Sequence, residues 1–365
     1  MTVKNLEPLP IRSGQGNYCV EFLDSLNALA EGLRRIPNAV TIIDRKVAST
    51  YAQKLAPALQ DGPVLEVDAT EEQKTPSGVL AAWEFFQKSN ATKSTQLIVI
   101  GGGIIQDIAQ FAAHNYYRGI RWHFAPTTLL AQADSCIGGK CGINLGPYKN
   151  QLGVFHSPSQ IWICLDFLKT LSDVDLCSGY GEILKLHLTR SSPDWFLDLA
   201  ATVNQGGWRN AQMGRFIRQS LEIKRGVIEE DEYEQDLRRI LNYGHTFGHA
   251  LESITRHEIP HGIAVAWGID LANFIASQTK LIPQKHFEEV HNFIQKHFQW
   301  KLRQPVVAED LIHAVRRDKK VENEKVNLIL AENIGSLRIA PFPFGQKLSS
   351  LVEEYLKTYH VIHWD

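Results

Sequence analysis

Leu97-Ile98-Val99-Ile100-Gly101-Gly102-Gly103 places four consecutive apolar residues directly before three glycines, and residues 105–115 behind them carry apolar side chains at helical spacing. A short run that is apolar on both sides, followed by a helix, is the form of a strand in a parallel sheet covered by helices. The alternation recurs on either side. Residues 39–43 end at Asp44, residues 64–67 end at Asp68, residues 79–88 read as a helix, and residues 122–125 end at Pro126. This predicts an α/β amino-terminal nucleotide-binding domain with a parallel sheet, and such sheets bind ligands beyond the carboxyl ends of their strands. Asp44 is therefore a candidate acceptor for ribose hydroxyls, and the glycine run a place where backbone N–H groups can approach a pyrophosphate at a helix N-terminus. The Gly-x-Gly-x-x-Gly fingerprint is absent, and a glycine triplet after a strand suits a tight turn equally well.

After about Asp175 the pattern changes. Helical periodicities run over residues 213–228, 240–255, 263–279, 287–298 and 348–359, which predicts an all-α carboxy-terminal domain and boundaries of 1-174 and 175-365. Within it stands Leu237-Arg238-Arg239-Ile240-Leu241-Asn242-Tyr243-Gly244-His245-Thr246-Phe247-Gly248-His249. If residues 238–249 are one helix, Arg238, Asn242, His245 and His249 share one stripe, and a polar row in so apolar a neighbourhood is costly without partners. Glu182, His245 and His261 together offer a carboxylate and two imidazoles, enough for a divalent metal with an open coordination position. Taken alone, two histidines four apart are more often ordinary hydrogen-bonded helix residues. Lys185 lies one turn from Glu182 and faces the same side. Lys224 is surrounded by Ile217, Leu221 and Ile228 at helical spacing. Either its stem packs while its head reaches water, or it meets an anion inside the protein; beside Arg238 it would make a pocket for a carboxylate or phosphate.

The composition bounds the rest. With 365 residues, 44% hydrophobic and 21% charged, the chain is long enough for two globular domains. A net charge of -2 from 38 basic and 40 acidic residues offers no global attraction for nucleic acid or an anionic membrane. Arg316-Arg317-Asp318-Lys319-Lys320 reads as a solvated helix end. Cys19, Cys136, Cys141, Cys164 and Cys177 are odd in number and lack Cys-x-x-Cys spacing, so reduced, mostly buried thiols are expected. Residues 1–16 lack a charged start followed by an apolar run, and no apolar stretch reaches membrane-spanning length, which predicts a cytoplasmic protein. Residues 126–144, followed by Lys149-Asn150, are polar and glycine-rich. They read as a ligand loop, with Lys140, Lys149 and Asn150 able to neutralise and hydrogen-bond oxyanions, or as a long irregular surface loop.

Taken together, Gly101-Gly102-Gly103 with Asp107, Tyr117-Arg118-Gly119, Pro126-Thr127-Thr128-Leu129-Leu130-Ala131-Gln132 with Asp134, Gly138-Gly139-Lys140, Lys149-Asn150 and Gly244-His245-Thr246-Phe247-Gly248-His249 carry a resemblance. From about Asp44 to Lys320 the chain resembles the sugar phosphate cyclase family, most closely the 3-dehydroquinate synthases of the shikimate pathway. The resemblance implies a dehydroquinate synthase-like fold, a bound NAD, a zinc or cobalt ion, a small-molecule sugar phosphate substrate and a homodimer. By motif match the metal ligands are Glu182, His245 and His261. NAD is implied to lie against Asp44, Glu71, Lys74, Gly102, Gly103, Asp107, Thr127, Thr128, Asp134, Lys149, Phe167, Thr170 and Leu171. Lys140, Asn150, Asn242, His249 and one lysine of the 318–320 run, taken as Lys320, are implied to hold phosphate and hydroxyls. Lys185 would hold a ring hydroxyl, Lys224 and Arg238 a carboxylate, and Arg118 would serve a neighbouring subunit.

The implied reaction is phosphate loss with ring closure of a seven-carbon 2-keto acid sugar phosphate. It runs through transient oxidation by NAD, β-elimination, reduction, ring opening and intramolecular aldol addition. Retention of Lys224 and Arg238 favours a carboxylate-bearing substrate over sedoheptulose 7-phosphate or glucose 6-phosphate. The chain departs from the family pattern at Ala69-Thr70 before Glu71, at Gly181 in place of alanine, at Leu186-His187 after Lys185 and at Ile263 in place of glutamate, and residues 68–74 look closer to the cyclitol-forming branch. Alternatives are therefore a valiolone-type cyclitol synthase and an amino-dehydroquinate synthase. A polyol dehydrogenase would accumulate NADH and would not need Lys140, Lys224 and Arg238, and a non-catalytic paralogue would be expected to have lost a metal ligand or Lys140.

Overall fold

The computed structural model describes residues 6–60, 62–146, 148–317, 321–322, 324–359 and 363–364. Its first strands are β1 (Leu9–Ile11), β2 (Tyr18–Leu23), β3 (Ala39–Asp44), β4 (Val64–Val67), β5 (Gln96–Gly101) and β6 (Arg121–Pro126). A hairpin of β7 (Lys140–Leu145) and β8 (Tyr148–Phe155) precedes β9 (Gln160–Cys164). Between the strands lie α1 (Leu26–Arg34), α2 (Arg45–Thr50), α3 (Ala52–Leu59), α4 (Pro76–Lys88) and α5 (Gly103–Asn115). The seven-stranded sheet has the order β1-β2-β9-β6-β5-β3-β4. All its pairings are parallel except the edge pair β1–β2.

Burial on both faces explains the apolar run of residues 97–100 in β5 and the mostly apolar β3 and β6, which Thr41 and His123 interrupt. Ile43, Ile98 and Ile100 pack with Leu29, Leu33 and Leu55 in one buried cluster. β4 lies on one side of β3, whereas β5, β6, β9 and β2 follow on the other. The winding thus reverses between β3 and β5, and Asp44 and Gly101 end the two strands that flank this switch point.

Later elements are α6 (Asp173–His187), α7 (Pro193–Gly206), α8 (Met213–Ile228), α9 (His245–Ile254), α10 (His261–Gln278), α11 (Gln284–His297), α12 (Ala308–Arg316) and α13 (Gln346–Thr358). The chain forms two units, Met1–Leu171 with Ala211–Tyr233, and Ser172–Asn210 with Glu234–Asp365. The expected boundary at 174/175 falls close to the first break, but α8 belongs with the sheet-bearing unit. Periodicity identified α8 as a helix without showing what buries it; its Lys224 bonds Asp134 of the first unit.

In the second unit every residue of α10 from Gly262 to Ala276 is buried, as expected of a central helix that is apolar all round. The unit is not purely helical. It also carries β10 (Lys301–Leu302), β11 (Val321–Glu322), β12 (Lys325–Asn333), β13 (Ser336–Pro343) and β14 (His363–Trp364), with β12 and β13 antiparallel and Ile329 opposite Ile339. Among the described residues, no helix is long and apolar enough to cross a membrane. Cys136, Cys141, Cys164 and Cys177 are buried and Cys19 partly so, all as free thiols.

Two local expectations change. Residues 238–249 are not one helix: a 3-10 turn (Leu237–Asn242) ends before Gly244, whose φ is +76°, and α9 starts afresh at His245. A side chain at Gly244 would meet the Val265 carbonyl at 2.5 Å, so the break requires glycine. Residues 126–144 are not an irregular surface loop either. Ala131–Ser135 forms one buried π-helical turn, and the polar side chains around it hold backbone. Gln106 donates to the Ser135 carbonyl at 2.8 Å, Gln110 to Gly139 at 2.5 Å, and Gln132 to Pro126 at 3.0 Å and Cys164 at 2.9 Å.

Candidate metal and nucleotide sites

In the second unit α6 and α10 meet backbone to backbone. A Cβ added at Gly181 would lie 2.0 Å from the Gly262 carbonyl oxygen, and one at Gly262 would lie 1.7 Å from that of Ser178. The departure at Gly181 is thus a packing requirement of this crossing. The next residue on α6 is Glu182 and the residue before Gly262 is His261, so the crossing brings the two side chains together. His261 Nε2 lies 3.0 Å from Glu182 Oε1, and His245 Nε2 lies 3.5 Å from the same oxygen. On its other side Glu182 forms an ion pair with Lys185 at 2.7 Å.

The ring nitrogens facing away are also held. His261 Nδ1 lies 3.1 Å from Glu252 Oε2, and His245 Nδ1 lies 3.1 Å from the Tyr243 carbonyl. With Nδ1 donating outward, each Nε2 is presented toward Glu182, the outer support that metal-binding histidines use. Burial alone would raise the Glu182 pKa, but Lys185 and His245 hold it well below the ordinary carboxylate range. Burial lowers the pKa of His245 and keeps it neutral. For His261 burial is outweighed by bonds to Glu182 and Glu252, which raise its pKa. An ionised carboxylate, a neutral imidazole and an imidazolium whose proton occupies a ligand position fit a divalent cation, which takes that proton's place.

His249, expected among the substrate contacts, lies in the same cluster. It is exposed, its ring is 5.1 Å from His245 and 5.8 Å from His261, and one nitrogen of each of the three falls within 4.8 Å of the others. Glu252 went unread in the sequence, although it lies on α9 three residues beyond His249 and seven beyond His245, on their face. Asn242 donates to Glu234 at 2.7 Å, and Arg238 is 3% exposed on its 3-10 turn.

In the first unit Lys224 takes the second of its two options, meeting an anion inside the protein. It is 7% exposed, and its ammonium bonds Asp134 Oδ1 at 2.5 Å and the Asp134 carbonyl at 2.7 Å. A residue implied to hold substrate and one implied to hold NAD are therefore partners of each other.

The β7–β8 hairpin gathers most of the other polar residues of this unit. Lys74 pairs with Asp107 at 2.7 Å, and Asp107 accepts the Gly142 N–H at 3.3 Å. Burial disfavours charge on Lys74, but Asp107 outweighs it and raises the Lys74 pKa. Asn144, also unread in the sequence, donates to Glu71 at 2.8 Å and accepts the Asn150 N–H at 3.0 Å, while Lys149 stands 3.7 Å from Glu71. Asn150 adopts φ +51°, and Lys140 is exposed on β7.

At the strand ends, Gly102 has no room for a Cβ, which would lie 2.9 Å from Thr128 Cγ2, and Gly103 opens α5. Thr127 donates its N–H to the Gly101 carbonyl at 3.0 Å. Asp44 caps α2, accepting the Lys46 N–H at 2.8 Å. Phe167 is buried edge-on against Tyr51 at 5.2 Å, and Thr170, just before Leu171, bonds the Tyr51 hydroxyl at 2.7 Å. Arg118 is exposed with φ +60°. Lys320, with Asp318 and Lys319, lies outside the described residues.

The chain also matches known proteins along most of its length. Residues 64–178 match the 3-dehydroquinate synthase N-terminal family and residues 179–321 its C-terminal family. A 3-dehydroquinate synthase from Alkaliphilus metalliredigens is 34% identical over 91% of this chain and 95% of its own length. One from a Thermoanaerobacter species is 32% identical over 88% and 92%. Among solved structures, 2-deoxy-scyllo-inosose synthase complexed with carbaglucose-6-phosphate, NAD+ and Co2+ superposes with a TM-score of 0.83 at 23% identity, covering 96% of this chain and 99% of that one. A 2-epi-5-epi-valiolone synthase from Streptomyces hygroscopicus with NAD+ and Zn2+ bound gives 0.81 at 24%, covering 95% and 98%. These two likenesses establish the fold, while the family matches and the curated relatives establish descent: the chain is an enzyme of the 3-dehydroquinate synthase family.

Proposed function

We propose that the chain is a phosphate-eliminating lyase that closes a seven-carbon 2-keto acid sugar phosphate into a carbocycle, as a homodimer using NAD and one zinc or cobalt ion. The observation that carries this reading is the meeting of Glu182 with His245 and His261, both imidazoles anchored from behind. When bound, NAD supplies a reversible hydride acceptor and the divalent ion a Lewis acid. The protein's own groups bind and orient. Glu182, His245 and His261 are the ligands. Asp44, Glu71, Lys74, Gly102, Gly103, Asp107, Thr127, Thr128, Asp134, Lys149, Phe167, Thr170 and Leu171 hold the dinucleotide. Lys140, Asn150, Asn242, His249 and Lys320 hold phosphate and hydroxyls, Lys185 a ring hydroxyl, and Arg118 reaches a neighbouring subunit. Arg238, with Lys224 fixed on Asp134, selects the carboxylate.

The test is phosphate release by the holoprotein from the keto-acid phosphate and, separately, from sedoheptulose 7-phosphate, with absorbance of NADH followed in both. Phosphate from the keto acid without net NADH is expected. Release from sedoheptulose 7-phosphate alone would make the enzyme a cyclitol synthase, and NADH formed mole for mole would make it a polyol dehydrogenase.

The α6–α10 crossing gives a second test. Gly181→Ala forces the helices apart beside Glu182, so metal affinity, titrated directly into metal-free protein, should fall by about tenfold or more, within the range for disturbed support of a metal site. Gly226→Ala, where a Cβ meets nothing within 4 Å, is the control for a helical glycine. Equal affinity in the two variants would reject the crossing as the determinant of ligand spacing.

A further inference from the structure

Tyr117, Arg118 and Gly119 have φ values of 48°, 60° and 102°, so three consecutive residues are left-handed and two of them carry side chains. Residues with a Cβ avoid this region, and consecutive ones persist only where the surroundings impose them. Besides the Gly119 N–H to Tyr116 carbonyl bond at 3.0 Å that closes the turn, a cation restrains it. Lys93, from the turn before β5, directs its ammonium to the carbonyl oxygens of Tyr117 at 2.9 Å, Arg118 at 3.5 Å and Gly119. Left-handed geometry turns these carbonyls toward one point, and an ammonium with three donors satisfies that convergence. Tyr116 anchors the segment from inside, its ring 5.0 Å from Phe86 and its hydroxyl 3.4 Å from the Ala91 carbonyl. Arg118 itself stays exposed at the head of the turn.

We propose that Lys93 is a positioning residue for the reaction: by clamping the carbonyls of residues 117–119 it holds Arg118 in the left-handed conformation that fixes where the guanidinium is presented. This rests on the reading of Arg118 as a substrate contact. Without the clamp the segment relaxes toward right-handed φ, and the Arg118 side chain leaves in another direction.

A double-mutant cycle on the holoenzyme tests it, using Arg118→Ala, Lys93→Met and the pair, with Lys93→Arg as rescue. Arg118→Ala should lower kcat/KM, and Lys93→Met should lower it by about tenfold alone but by no more than about twofold in the Arg118→Ala background. Lys93→Arg, which keeps a cation at the carbonyls, should recover most of the loss. NAD affinity, metal affinity and the thermal unfolding midpoint should stay at wild-type values in Lys93→Met. Full activity in Arg118→Ala would remove Arg118 from the reaction and overturn the proposal together with that reading. A defect in Arg118→Ala with an undiminished Lys93→Met effect in the pair would leave the reading standing and overturn the positioning alone.

Discussion

Chelation of the divalent ion should abolish turnover, and readdition of zinc or cobalt should restore it, whereas His261→Ala should lose activity that no added metal recovers. A loss on the order of 1,000-fold is expected, because a Lewis acid at a substrate oxygen contributes several kcal/mol of transition-state stabilisation. The geometry makes His261 the sensitive position. It meets Glu182 on one nitrogen and Glu252 on the other, so its removal deletes a proposed ligand and takes one partner from each of two buried carboxylates. Glu252→Gln separates the outer support from the ligand set, keeping the side-chain shape and removing the charge behind His261. Its metal affinity should fall by about 10–100-fold while activity at saturating metal is largely kept. Metal content measured alongside rates decides the matter: full turnover by protein verified free of metal would reject this ligand set.

How much of this was readable in advance follows from the separation of the partners. Four strands of the first unit are legible because burial on both faces leaves a mostly apolar run, and β3, β5 and β6 differ from the expected spans only at their ends, whereas β1, β2, β7, β8 and β9 carry no run that singles them out. The same rule worked against β12. Val326 and residues 328–331 are an apolar run that periodicity alone does not separate from buried helix. His245 and His249 do share a helix, as their spacing predicts. Arg238 and Asn242 were joined to them across Gly244, whose obligatory left-handed turn depends on α10 packing against it. Glu182 and His261 were named by family resemblance. That their helices touch through Gly181 and Gly262 is a fact of packing between segments 81 residues apart, invisible to local spacing. Lys224 shows the same limit. Its helical neighbours revealed an inward cation, but Asp134, the anion it meets, lies 90 residues away. Asn144 and Glu252 escaped notice because their value is relational: neither residue type is distinctive until Glu71 or His261 is placed beside it.

Arg238→Ala should separate the candidate substrates more sharply than any other change. Arg238 is 3% exposed on a short 3-10 turn, where a guanidinium is retained only if anionic or polar groups answer it. If a substrate carboxylate is one of them, truncation leaves that carboxylate desolvated and unpaired, a cost of about 2–5 kcal/mol and a loss of roughly 30- to 5,000-fold in kcat/KM. Sedoheptulose 7-phosphate has no carboxylate, so any activity toward it should change little. Affinity for NAD and for the metal should persist, since neither ligand set includes this residue. Arg238→Lys keeps the charge but not the planar fork that grips a carboxylate through two parallel bonds, and should fall between wild type and alanine. Removing a buried arginine also strains the fold, so the thermal midpoint is read in each variant and kcat/KM is compared between the two substrates in the same preparation. A ratio of the two kcat/KM values unchanged from wild type would show that Arg238 supports the fold and does not choose the substrate, whereas collapse of the keto-acid term alone assigns the choice to this side chain.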